Sequence, residues 1–304
     1  MSLRSTWLVL LCTVVSGFHL KMSIDSHLHV WSNGEEPYPY IRDAVPPNSL
    51  KDASGPAALL EEMNKAGVRG ALIVQPINHL FDHRYVEDAI RKYPERFKGM
   101  CLLDPSTEDE NYLKDLRERG FCSVRYNPYL PEWEGAAMCD EAGKKFYKEC
   151  GELGMPVGFM CFKGLNKHIR EIEALLEASP STKAIIDHWG FFVQDGVVVE
   201  ESWEQLLALG KYPQVYVKVS APFRNVVNKE DKSHSELKGR VRTLVDTFGA
   251  TRIMWGTDFP FVMLEDDDAY FKSKTALSGW GLSPEEEEQV LSGTVEGLLG
   301  KWGA

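Results

Sequence analysis

From Ile24 onward, short continuous apolar runs alternate with longer stretches in which apolar residues return every three or four positions. The first kind predicts strands covered on both faces, the second amphipathic helices packed by one side. Strands are predicted at Ile24 to Val30, Gly70 to Gln75, Phe97 to Leu103, Cys122 to Asn127, Pro156 to Cys161, Ala184 to His188, Val215 to Ser220 and Ile253 to Trp255. The helical stretches end where helices ordinarily stop: Ala57 to Ala66 before Gly67, Arg84 to Lys92 before Tyr93-Pro94, Glu110 to Arg119 before Gly120, Gly143 to Leu153 before Gly154, and His168 to Ala178 before Ser179-Pro180. Glu201 to Leu209 and Leu237 to Phe248 continue the alternation. Ser283-Pro284-Glu285-Glu286 then opens a last helix with an N-cap, a first-turn proline and a capping glutamate.

Eight strands alternating with helices, without a long linker or low-complexity stretch, predict an α/β fold: a single closed (β/α)8 TIM barrel over residues 22–304. An open doubly wound sheet is the other arrangement such a pattern allows. No strand, however, is followed by a Gly-x-Gly-x-x-Gly turn or a phosphate-cradling loop. Residues 1–21 stand outside the pattern. Arg4, the apolar stretch Trp7 to Val15 and Ser16-Gly17 have the order of a short secretory signal, too short to span a bilayer, while Met22 just before the first strand also allows a start-site artefact.

At 304 residues and 43% hydrophobic content the chain can bury a large core. A net charge of -11 and a pI near 5.3 argue against nucleic acid or an anionic membrane as partner, and acidity says nothing more; the small-molecule substrate is expected from the rim residues below. The acidic runs Glu265 to Asp268 and Glu285 to Glu288 read as solvated surface. Cys12, Cys101, Cys122, Cys139, Cys150 and Cys161 show no Cys-x-x-Cys spacing, and Cys101, Cys122 and Cys161 lie in or beside apolar runs. Reduced thiols and a cytoplasmic or organellar location are expected, with secretion the alternative if residues 1–21 act as a signal. Oligomeric state stays open, since nothing in the surface composition singles out an interface.

In such a barrel the chemistry gathers at the C-terminal ends of the strands. Ile24-Asp25-Ser26-His27-Leu28-His29-Val30-Trp31 places His27 and His29 on one face of the first strand, where they can serve one metal ion or one substrate, or be two satisfied core residues. At the other end of the chain, Arg252-Ile253-Met254-Trp255-Gly256-Thr257-Asp258 closes the eighth strand on a carboxylate. Between them come Gln75 with the loop residues His79, Asp82, His83 and Arg84, then Arg125 and Asn127, then Asp187-His188-Trp189-Gly190, then Lys218-Val219-Ser220 with Arg224 soon after. Singly, Arg125 reads equally as half of a buried ion pair and His188 as a strand cap. Jointly, so much polarity on one rim requires a use or a complete network of partners. Arg125, Asn127, Arg224 and Gln75 are the candidate substrate contacts. Trp133, Trp189, Tyr129 and Phe223 either line a pocket or pack the core.

The first-strand motif, Asp187-His188-Trp189-Gly190 and Trp255-Gly256-Thr257-Asp258-Phe259-Pro260, in this order, resemble the amidohydrolase superfamily. The similarity is to its amidohydrolase-related branch of sugar-lactonase-like and dicarboxylate-lactonase-like proteins and covers roughly residues 23 to 300. Asp82-His83-Arg84-Tyr85 through Phe97, and Ser123-Val124-Arg125-Tyr126-Asn127, agree with it. The resemblance implies a barrel of the metal-dependent-hydrolase type that hydrolyses a C–O bond in a small lactone or ester. It implies that His27, His29 and Asp258 surround the reaction centre and that His188 completes it. In metal-using members the histidine pair and the aspartate hold a divalent ion, Zn²⁺ or Mn²⁺, and the aspartate carries the proton from water to leaving group. Arg125 and Arg224 would suit a substrate carboxylate.

One position departs from the family pattern. Metal-binding relatives carry a histidine on the fifth strand, where this chain has Met160, and a thioether is a poor ligand for Zn²⁺ or Mn²⁺. No fourth-strand lysine or glutamate stands ready to bridge two metals. The expectation is therefore one divalent ion or none; without an ion, the three histidines would polarise the carbonyl and Asp258 would activate water directly. Decarboxylation of a small unsaturated acid and a non-catalytic binding barrel are the alternatives to hydrolysis.

Overall fold

The computed structural model describes residues 22–303 apart from 43 and 52. The leader-like segment lies outside the described residues. Eight parallel strands run in the order β1 (Ser23–Leu28), β2 (Val68–Val74), β3 (Phe97–Leu102), β4 (Phe121–Tyr126), β5 (Val157–Phe159), β6 (Ala184–Ile186), β9 (Val215–Ser220) and β10 (Ile253–Gly256). A small antiparallel hairpin, β7 (Val193–Gln194) and β8 (Val197–Val198), interrupts the sequence of barrel strands.

The ring closes between its first and last strands. The Asp258 amide donates to the His27 carbonyl at 2.8 Å, and the His29 amide to the Phe259 carbonyl at 2.7 Å. Just below, the Asp25 carboxylate accepts from the amides of His27 and Thr257, each at 3.0 Å, and from the Thr257 hydroxyl at 2.5 Å. Gly256 is required by this approach, because a Cβ there would lie 2.9 Å from the His27 nitrogen. The expected barrel is thus the observed one, and its seam carries both chain-terminal motifs.

Helices cover the outside as the periodicity predicts. In α1 (Pro56–Ala66), Leu59, Met63 and Ala66 form the buried stripe, and Gly67 ends the helix in the left-handed region at φ 64°. In α4 (Glu141–Glu152) the helix begins two residues earlier than expected, because Asp140 caps it by accepting from the Gly143 amide at 2.8 Å. The capping box at Ser283 and Glu286 is present.

One helix escapes the pattern: Ala269–Ala276 buries Ala269, Tyr270, Ser273 and Lys274. Its hidden face includes a lysine, whose ammonium donates to the Ala66 carbonyl at 2.7 Å and so caps the end of α1. No helix among the described residues is long and apolar enough to cross a membrane. The described cysteines are all free, with Cys101, Cys150 and Cys161 buried.

Inside the barrel, an apolar layer that includes Ile24, Leu72, Met100, Ile185 and Met254 packs toward Trp302 near the end of the chain. The indole stands where a Cβ on Gly70 would meet it at 2.3 Å, so that glycine admits the plug. Nearer the C-terminal ends of the strands the interior turns polar, and the site begins there.

Candidate active site

Four strand ends meet over a buried carboxylate. Asp187, directly after β6, lies 3.2 Å through Oδ1 from both His27 Nδ1 and Lys218 Nζ, and 3.2 Å through Oδ2 from Arg125 Nε. Lys218 and Asp187 are fully buried. A lysine in the otherwise apolar run Val215-Tyr216-Val217-Lys218-Val219 already signals a buried counter-ion, since an unpaired ammonium cannot be kept in a core. The sequence places both Asp187 and Lys218 on the rim, but assigns neither of them a role in the site. Burial opposes ionisation of Asp187, but Lys218, His27 and Arg125 outweigh it and hold its carboxyl well below the usual range.

Above this layer opens a cavity of about 400 Å³ that reaches His29, His188, Asp258, Arg125, Asn127 and Arg224. Asp258 sits at its floor, with Oδ1 3.4 Å from His29 Nε2 and 3.9 Å from His188 Nε2, and Oδ2 2.8 Å from Arg224 Nε. Its φ of 65° is one an aspartate tolerates. Burial opposes its charge, but Arg224, then His188 and His29, hold it well below the usual carboxylate range. His188 is braced by Ser220 Oγ, 2.8 Å from Nδ1.

The donor set can be tested for a metal ion. His29 Nδ1 donates to the Val74 carbonyl at 2.8 Å, which leaves Nε2 as the ring nitrogen turned toward Asp258. His27 Nε2 is buried without a hydrogen-bond partner. One ring nitrogen from each histidine and an Asp258 oxygen lie within 4.8 Å of one another, a spacing that fits one divalent ion of the Zn²⁺ or Mn²⁺ type. Met160 lines the same cavity, but its sulfur is 2.9 Å from Arg125 Nη2 and faces a cation.

Gln75, expected to touch substrate, does not reach the cavity. Its amide nitrogen donates to the Leu80 and Asp82 carbonyls, both at 2.9 Å, and braces the loop after β2. His83 likewise serves that loop, its Nε2 accepting from the Leu102 amide at 3.0 Å, and Asp82 pairs with Arg84 at the surface. His79 takes the Ser32 amide. Trp133 and Trp189 are core, whereas Tyr129 lines the cavity and Phe223 lies against the Arg224 guanidinium.

The buried imidazoles make folding pH-dependent. Burial pushes both His83 and His188 down to about 3 from 6.5. The unfolded chain therefore takes up their protons first, and stability present above pH 6.5 is lost as pH falls toward 3. Asp25 acts in the opposite sense: burial raises it to about 6, so its contribution is lost as pH rises through that value. Burial lowers His27 and His79 as well, so the imidazoles outweigh the one carboxyl and leave a net loss in acid. The unfolding midpoint should drop by on the order of 5 °C between pH 7.5 and pH 5. An equal or higher midpoint at pH 5 would mean that these imidazoles are already protonated in the fold.

A 2-pyrone-4,6-dicarboxylate hydrolase of Comamonas testosteroni is 27% identical over 258 residues, 80% of this chain and 78% of that protein. An L-fucono-1,5-lactonase of Burkholderia ambifaria is 24% identical over 247 residues, 78% and 80% of the two chains. Among solved structures, a probable 2-pyrone-4,6-dicarboxylic acid hydrolase of Acinetobacter baumannii with citric acid bound superposes with a TM-score of 0.72 at 20% identity, covering 91% of this chain and 99% of the other. The Amidohydrolase family model matches residues 24–301, a span that takes in the barrel strands from β1's Ile24 to β10 and both sides of the seam, and the chain therefore belongs to that family.

Proposed function

We propose that the protein opens a small lactone ring, adding water to the ester carbonyl with Asp258 as general base. The observation that carries this reading is the carboxylate at the cavity floor, ionised by Arg224 and set between the Nε2 atoms of His29 and His188. The two relatives whose names specify hydrolysis of a cyclic ester support it.

Asp258 Oδ1 takes a proton from the attacking water while Arg224 stays on Oδ2. In the tautomer that accepts the Ser220 hydroxyl on Nδ1, His188 offers Nε2–H to the carbonyl oxygen, where negative charge grows. The ring C–O bond breaks, and the proton on Asp258 passes to the departing alkoxide, leaving a hydroxy acid. Arg125, ion-paired with Asp187, and Asn127 hold the polar end of the substrate. A divalent ion, when bound, would be held by His27, His29 and Asp258 and would lower the pKa of a water.

A panel of sugar lactones and carboxylated pyrones, followed by proton release, tests the reading. One proton per turnover without carbon dioxide is expected. Release of carbon dioxide would replace hydrolysis by decarboxylation, and no turnover on any lactone would end the proposal. Metal content measured on the same sample should not exceed one equivalent per chain; two would contradict the single donor set.

A further inference from the structure

We propose that the preferred substrate is a lactone bearing an apolar alkyl or aryl arm, with the ring on the polar floor and the arm held in the mouth of the cavity. This rests on the lactonase reading above. The apolar wall of the cavity is built from Trp31, Ile77, Leu130, Phe162, Phe191 and Phe261, of which Ile77 and Phe162 reach the surface and mark its mouth. Each comes from the loop after a different barrel strand: β1, β2, β4, β5, β6 and β10 in turn. Six loops of unrelated sequence all turn an apolar side chain into one cavity.

The rings pack on one another at two sides of the cavity. Phe162 and Phe191 have centroids 6.1 Å apart, and Trp31 and Phe261 5.5 Å apart. Phe162 and Ile77 nevertheless remain 48% and 49% exposed, so apolar surface is left uncovered at the rim. Two of the polar groups that line these loops are already engaged. The Tyr129 hydroxyl is engaged by His168 Nε2 at 2.8 Å and by the Lys163 amide at 2.9 Å, and the Asn78 amide nitrogen donates to the Ala44 carbonyl. A substrate with several hydroxyls would lose water there and find few partners, whereas an alkyl or aryl arm loses none and gains burial.

The test is a series of δ-lactones with 6-alkyl chains of increasing length, assayed beside a polyhydroxylated sugar lactone. Burial of each methylene predicts a rise in kcat/KM of about fourfold per carbon over the first few carbons. In Phe162→Ser the slope of this series should flatten, and Ile77→Ser provides a second variant should the first not fold. A flat series beside efficient turnover of the sugar lactone overturns the proposal. So does a dimer that buries Phe162 and dissociates in Phe162→Ser, which would make the ring a contact between copies.

Failure of the lactonase reading shows differently, as no turnover anywhere. Calorimetry with the ring-opened 6-alkyl hydroxy acids then decides the mouth alone: affinity rising with chain length supports it, and affinity independent of chain length overturns it.

Discussion

Asp258→Asn is expected to lower kcat/KM on the hydrolysed lactone by about 10³-fold, the size of effect that follows loss of a positioned general base. Asparagine keeps the shape, tolerates the left-handed φ of 65° and still accepts from Arg224, so the fold should survive. The loss should fall in kcat, because the amide cannot take the proton from water although the substrate contacts remain. Circular dichroism checks the fold, and steady-state kinetics check the rate. Activity within tenfold of the native protein would remove Asp258 from the base role.

The second large effect is on stability. Asp187→Ala leaves Lys218 and Arg125 buried together with no counter-charge, and stranding buried charge in this way costs about 3–5 kcal/mol. For a barrel of this size that corresponds to a drop of about 10 °C in the unfolding midpoint. Adding Lys218→Met removes one of the stranded cations while keeping most of its volume. The double variant should therefore be more stable than Asp187→Ala alone, with a coupling of about 1–3 kcal/mol across the cycle. If Asp187→Ala melts within about 2 °C of the native protein, the ion cluster does not hold the barrel interior together. Both results bear on catalysis, since Asp187 also sets Arg125 and reaches His27 Nδ1.

These charged residues show where sequence reasoning works and where it stops. The strands were legible because they are buried on both faces, which demands continuous apolar runs, and most helices because caps and glycines mark their ends. Ala269–Ala276 was not, because its buried face contains Ser273 and Lys274. The histidine pair and the terminal aspartate were recognisable as chemistry. Gln75 is ambiguous in sequence, because a polar residue at a strand end can turn either into the cavity or back to its own loop, and here two loop carbonyls claim its amide.

By itself, then, the sequence determined the order and kind of the elements, the barrel they make and the residue types at its rim, since these follow from local periodicity and from the chemistry of single side chains. Tertiary structure alone decided which of those side chains are neighbours. That His27 and Asp258 share a seam, that Asp187 gathers Lys218 and Arg125, that Met160 faces a guanidinium and that six loops line one cavity all depend on strand register and barrel closure. Those contacts join residues far apart in the chain, and no local pattern encodes the distance between them.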